Sequence, residues 1–366
     1  MADDQLPEDI IYGILSRLPV KSLARSRCVC KPWLEYIDHP YLKTIHLKQE
    51  LTPIIFHHHQ KQCTFSFLRV IEATSTVQND PVSEFCCDDD YSTTLKVLGL
   101  CNGLTLVCFD TFNLAHINPL SKQRYDLPPV KISHDRNSRI DPYYLYSAGI
   151  GFDDSINSFY KTVCVVRKSV YRCSWEDVDV VQEHLCTLVH GSGASEWREI
   201  RKLPAYPITG AGVFSHGRMY WLADSQFWTP EEGTKVVWFD VKTEEFGLTE
   251  PPEWKEGHWV DSQLVDLSGE VGFAYMDRFR VELWILKGGE WVVHCGFDID
   301  LSCDYVEAVP GWWNEEGDVL LTSDRGRRLM VYAPRTGELR RVGGLDDRCE
   351  GDVVMYRGSL FSMMKT

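Results

Sequence analysis

Apolar positions along the chain change their period once. Near the start, Ile10, Ile11, Ile14, Leu15 and Leu18 recur at offsets of three and four, the spacing of an amphipathic helix. Pro7 precedes Glu8 and Asp9; proline suits a first helical position, and acids suit the positive end of the helix dipole. Pro19 stops this helix. Lys21-Ser22 starts a second, continued by Leu23, Arg27 and Cys28, and Pro32 opens a third anchored by Trp33, Ile37 and Leu42. The pattern predicts three short helices in a unit of about 40 residues, too small to be very stable alone. Apolar residues occupy more than one face of the first helix, with Ile10, Ile14 and Leu18 set against Ile11 and Leu15. One face can pack on Trp33; the other needs a partner groove.

After residue 48 the period falls to two, and short strands are punctuated by Gly, Asn, Asp and Pro. A strand-turn-strand element ending in Pro or Gly recurs at 115–129, 187–204, 237–252, 283–297 and 330–345. Its turn centres, near Asn118, Gly191, Asp240, Gly288 and Ala333, lie 73, 49, 48 and 45 residues apart. A period near 45–50 residues is that of a four-stranded propeller blade; the polar insertion 131–145 lengthens the first interval. A second element, a Gly followed by an apolar strand, appears at 99–109, 149–166, 212–223, 269–286 and 317–332. It reads as an inner hairpin whose Gly sits where backbones crowd a central channel. Five units are complete, and a sixth is split between 52–70 and 352–366. The expected fold is therefore all-α, three short helices, followed by an all-β propeller-like body. That body has about six four-stranded blades, in a ring closed by N- and C-terminal strands, which leaves no open edge.

Charge narrows the functions open to this body. Residues 1–48 hold seven basic and six acidic residues, whereas the remainder holds 31 basic and 47 acidic. Nucleic-acid binding needs a basic surface to displace counterions, so no nucleic-acid partner is expected. No apolar run is long enough to span a membrane, and residues 1–9 are acidic rather than signal-like. The 13 cysteines are scattered without a CxxC pair; Cys28 and Cys30 form a CxC, and Cys86 and Cys87 are adjacent. Neither spacing is a zinc pattern. Scattered thiols without an export signal suggest a reduced setting in cytoplasm or nucleus.

The order of residues from Leu6 to Trp33 resembles an F-box: LPEDI, then IL and RLPVKSL, then CVCKPW. The match covers about an eighth of the chain, with Pro32 where family members often carry a small or polar residue. The resemblance implies docking on a Skp-type adaptor, and through it on a cullin scaffold. On these residues it implies an adaptor surface of Leu6, Pro7, Ile10, Ile14, Leu15, Leu18, Pro19, Val20, Leu23 and Val29, with Ile11 and Trp33 as core. The body, with LGLCNGL, NPLSKQRYDLPP and GIGFDDSINSFYKTVCVV, is similar to that of plant F-box proteins with an F-box-associated interaction domain, kelch-like at most. The implied division is an F-box over 1–47 and a substrate-binding propeller over 48–366. The implied role is a non-catalytic substrate receptor of a cullin-type ubiquitin ligase, with an unknown protein target; an assembly or sequestration role is the first alternative, and a propeller enzyme with a site built from separate loops is the second.

Chemistry-bearing clusters add little. His57, His58 and His59 are consecutive on a strand, so at most two share a face. Asp88, Asp89 and Asp90 lack the spaced oxygens of a calcium loop. No P-loop, GxGxxG or GxSxG motif occurs, and no cofactor or metal is expected. Candidate target contacts lie on inserted loops at 73–94, 131–145 and 224–234, where Phe227 and Trp228 are hot-spot residue types. Trp312 and Trp313 join them, because adjacent strand residues face opposite sides and one of the two would lie near a surface.

Overall fold

In the computed structural model, helices give way to strands where the apolar period changes. The structure describes residues 6–18, 20–39, 41–42, 52–59, 62–71, 76–86, 96–109, 113–130, 143–153, 159–173, 178–224, 234–253, 261–299, 306–314, 316–324, 326–344 and 351–358. Three helices come first: α1 (Glu8–Leu15), α2 (Val20–Ser26) and α3 (Lys31–Asp38). Pro7 is the N-cap of α1, not its first helical residue. Its backbone is extended at φ −53°, ψ 142°, and its carbonyl accepts the N–H groups of Ile10 (3.0 Å) and Ile11 (3.2 Å). Pro32 lies in the first turn of α3, where a missing N–H costs nothing. Tyr12, Leu15, Leu23, Ile37 and Leu42 form the core of this unit, and an Arg27–Asp38 ion pair of 2.9 Å ties the end of α2 to the end of α3.

Among the described residues, 24 strands follow. The first sheet takes β1 (Thr52–His59), β2 (Gln62–Ile71) and β3 (Thr76–Cys86) from the front of the body and β24 (Gly351–Tyr356) from its end. The expected closure is therefore present: β24 lies antiparallel beside β1, pairing Ile54 with Val354 and Ile55 with Val353. Next come β4 (Lys96–Cys101), β5 (Leu104–Cys108), β6 (Leu114–Asn118) and β7 (Gln123–Asp126), then β8 (Tyr143–Asp153), β9 (Phe159–Cys173), β10 (Val178–Gly191) and β11 (Arg198–Ile200). They are followed by β12 (Ile208–Ser215), β13 (Arg218–Ala223), β14 (Val236–Asp240) and β15 (Glu245–Thr249). The last two groups are β16 (Asp261–Leu267), β17 (Glu270–Met276), β18 (Arg280–Lys287) and β19 (Glu290–Asp298), and β20 (Ala308–Trp312), β21 (Val319–Ser323), β22 (Arg328–Ala333) and β23 (Glu338–Gly344). The innermost strands β24, β4, β8, β12, β16 and β20 touch in that order around a ring.

Six separate blades were expected; the strands form four separate four-stranded sheets and one of eight. In the eight-stranded sheet, β4 and β12 pair in parallel through Gly99–Gly212 and Leu100–Val213. Glycine makes the approach possible. A Cβ on Gly99 would sit 3.1 Å from the Gly212 carbonyl oxygen, and one on Gly212 would sit 3.1 Å from the Gly149 Cα. Three innermost strands thus converge on a glycine collar that is filled by the fully buried Trp221. The recurring turn elements are the outer hairpins, β6–β7, β10–β11, β14–β15, β18–β19 and β22–β23. The Gly-led segments 99–109, 149–166 and 212–223 are inner hairpins as expected, but those at 269–286 and 317–332 are the second and third strands of their sheets. Alternation gives the same pattern to both positions, so periodicity does not tell them apart.

Side chains stitch neighbouring inner strands through backbone groups. The Gln263 amide donates to the Val309 carbonyl (3.3 Å) and accepts its N–H (3.0 Å), as a ladder partner would. The Asp352 carboxylate accepts from the Val97 N–H at 3.4 Å. Cys63, buried in β2, is disulfide-bonded, which corrects the expectation of uniformly reduced thiols; Cys28, Cys30, Cys101, Cys108, Cys164, Cys186 and Cys295 are free. Sequence spacing does not reveal which thiols a sheet brings together.

His116 on β6 is buried, with Nε2 2.6 Å from the Thr162 hydroxyl on β9. Burial, and secondarily His190, hold its pKa down at about 3; His190 is also lowered by burial. An unfolded chain takes up these protons near pH 6.5 and the folded one does not, so stability is lost as pH falls from 6.5 toward 3. Wild type is expected to lose up to about 1.4 kcal/mol per pH unit through His116 over that window. Urea titrations at pH 7, 6 and 5 check this: His116→Gln should flatten the decline, and an unchanged slope would contradict the assignment.

Candidate functional site

The helical unit divides its apolar residues between a core and an uncovered stripe. Ile10 and Ile14 stand one turn apart on α1, 48 % and 49 % exposed, and Leu6 before the helix is 57 % exposed. Pro7 is exposed beside them. The opposite face carries Tyr12 and Leu15, with Ile11 and Leu18 packed against the core. This corrects part of the expected docking set. Leu15 and Leu23 are 1 % and 0 % exposed, so in this chain they are core of the unit, not free surface. A helix of eight residues has only one face to bury against two short neighbours, and Ile11, Leu15 and Leu18 fill it.

Trp33 departs from expectation in the other direction. It is 36 % exposed, beside Leu34 at 37 %, because Ile37 takes the inward position on α3. Val29, in the turn before α3, is 66 % exposed. Val20 opens α2, while its side chain and the whole of Pro19 lie outside the described residues. Leu34 was missed from the sequence although its place next to Trp33 on a short helix was a usable signal. Aromatic edges finish the unit: Tyr12 meets Tyr36 at 5.5 Å and Tyr41 at 5.1 Å between ring centroids, both edge-on.

In the body, Phe227 and Trp228 fall outside the described residues, as do most of the loops expected to contact a target; the described part of the loop expected at 73–94 is instead strand β3, paired along its length with β2. Trp312 and Trp313 are described and are not free contacts. Trp312 packs against the cluster containing Leu283, Cys295 and Val319, and Trp313 against the one containing Ile55, Leu320 and Met355. The two do face opposite sides. A propeller sheet, however, has neighbours on both faces, so both sides are interior. Among the described residues, no group of three His, Cys, Asp or Glu is placed to hold a metal ion, and no helix is long and apolar enough to cross a membrane.

Comparison with known proteins joins these two parts. Residues 52–342 match the F-box associated beta propeller domain. The chain belongs to that family. Residues 4–45 match the F-box domain, which covers all three helices. An F-box protein of Arabidopsis thaliana is 25 % identical over 303 residues, spanning 78 % of this chain and 70 % of that protein. A putative F-box protein from the same plant is 28 % identical over 313 residues, 80 % of this chain and 71 % of the other. An F-box/kelch-repeat protein, also from Arabidopsis thaliana, is 27 % identical over 308 residues, 78 % and 67 % of the two chains; kelch character rests on that name alone. Among solved structures, an oligogalacturonate lyase in complex with manganese aligns over 84 % of this chain and 77 % of its own, with a TM-score of 0.44 and 8 % identity. An F-box followed by its associated propeller is thus the organisation of this chain.

Proposed function

We propose that this chain is the substrate-recognition subunit of a cullin-type ubiquitin ligase, docking a Skp-type adaptor through its F-box and a target protein through its propeller. The observation that carries the reading is the uncovered stripe Leu6, Ile10 and Ile14 on an F-box whose own core is already full. Covering each half-exposed isoleucine contributes on the order of 1 kcal/mol, and the exposed Pro7 lies beside Leu6 at the start of the stripe. The chain performs no chemistry. It holds adaptor and target together, so transfer to a target lysine becomes effectively intramolecular. In this reading the eight-stranded sheet acts as two blades fused at the glycine collar, making a ring of six, and the protein works in cytoplasm or nucleus.

Pull-down with a Skp-type adaptor tests the docking surface. Ile10→Asp with Ile14→Asp should abolish capture while circular dichroism and melting of the body stay unchanged, because neither residue is in the core. Leu15→Asp should also abolish capture, but with loss of helical signal, since it places a charge in a site 1 % exposed. Capture of the Ile10→Asp, Ile14→Asp variant at wild-type levels would sink the assignment. Ubiquitylation of a co-purified partner in a reconstituted ligase then separates the receptor role from assembly without ubiquitylation.

A further inference from the structure

A cavity of about 150 Å³ opens where the inner strands end, between the turns β4–β5, β12–β13 and β16–β17 and the exit of β24. That is roughly ten times the least volume that holds one water. Most polar groups lining it are already spent. The Ser215 hydroxyl donates to the Gly269 carbonyl (2.6 Å), the Tyr356 hydroxyl donates to the Gly103 carbonyl (3.0 Å), and the His216 ring meets Glu270 at 3.2 Å.

Two charged groups remain. The Asp266 carboxylate uses Oδ1 to accept the Gly269 N–H at 2.6 Å and forms no ion pair among the described residues. The Arg357 Nε is buried and has no hydrogen-bond partner. Both line the same cavity; burial raises the Asp266 pKa, and the Gly269 N–H and the charge of Arg357 offset only part of that rise. Yet no ion pair within 4.0 Å joins them. A buried donor left without a partner costs about 1–3 kcal/mol, so the cavity suits an occupant that accepts from the Arg357 Nε–H and donates to the Asp266 carboxyl beside it.

We infer that this channel mouth binds a small zwitterion of amino-acid size, its ammonium at Asp266 and its carboxylate at Arg357. A simple anion would satisfy Arg357 but oppose Asp266, and a simple cation would do the reverse. The Arg fork suits a carboxylate, and Asp266 offers the acceptor an ammonium needs. The site lies wholly in the propeller and requires no ligase partner, so its failure would leave the proposed docking role untouched.

Calorimetry and thermal melting of the full chain test the inference, with L-alanine as probe and its two halves, ethylammonium and propionate, as controls. L-Alanine at about 100-fold excess over its Kd should raise the melting temperature by roughly 4 °C. Each half should bind at least about tenfold more weakly, as should L-alanine to Asp266→Asn or Arg357→Gln. Should Asp266→Asn fail to fold for want of its turn bond, Arg357→Gln and Arg357→Lys carry the test, since neither alters a hairpin turn. The inference is overturned if L-alanine gives neither heat nor shift, if propionate or ethylammonium matches it, or if Arg357→Gln binds it as wild type does.

Discussion

Deleting residues 350–366 should convert the sharp unfolding of the body into a broad, weakly cooperative one. The cut removes β24, and with it the whole ladder to β1. It also takes a fully buried residue from each of two core clusters. Tyr356, 1 % exposed, packs with Ile54, Phe56 and Phe65, and Met355, 4 % exposed, packs with Ile55, Leu320 and Leu329. The Tyr356 hydroxyl donates to the Gly103 carbonyl, and so ties the end of the chain to the β4–β5 turn. Burial of two such side chains contributes about 3–6 kcal/mol, a large part of the roughly 5–15 kcal/mol that a folded domain has in hand. Beyond that loss, the ring is left with an open edge on β1. Near-UV circular dichroism during thermal melting checks this; a truncated body that melts sharply at an unchanged temperature would overturn the closure.

The second large effect is expected at Trp221. Its ring is fully buried, with Nε1 donating to the Ala148 carbonyl at 3.2 Å. It fills the space that Gly149 and Gly212 leave by having no side chain: a Cβ on Gly149 would lie 2.5 Å from Trp221 Cζ2, and one on Gly212 2.7 Å from its Nε1. Trp221→Ala should cost about 3–5 kcal/mol. Gly149→Ala should cost about 1–3 kcal/mol by overpacking, but much less in the Trp221→Ala background, where its methyl group enters the vacated space. Urea unfolding of the four proteins measures this coupling; strictly additive costs would show that ring and glycine do not share one cavity.

The collar and the closure mark how far the sequence could be read. Five outer hairpins, from β6–β7 to β22–β23, were legible, because a turn such as Lys287-Gly288-Gly289-Glu290 sits between alternating strands and needs only local information; β2–β3 was not, since β3 lies in polar sequence that reads as a loop. The pairing of β24 with β1 was legible for a different reason: an unfinished unit at each end leaves one way to close a ring. The fusion of β4 and β12 was not. Gly99 and Gly212 look like any glycines before an apolar strand, and only the close approach of their backbones distinguishes them. Trp312 and Trp313 misled because strand alternation shows that two residues face opposite ways without showing what lies on each side.

The same division holds at the F-box. Its spacing of apolar residues, prolines and the motif from Leu6 to Trp33 determined by themselves that three helices form and that α1 carries more apolar surface than the unit can bury. Tertiary packing alone decided which residues are left over. Ile11 and Leu15 turn inward and Ile10 and Ile14 outward, while Ile37 displaces Trp33 from the core. Periodicity fixes the angle between side chains on a helix, but the neighbour that a helix packs against fixes which angle is inside. For the same reason, that the charges of Asp266 and Arg357 share one cavity without pairing belongs to the closed ring, since residues 91 positions apart meet only when the last strand completes it.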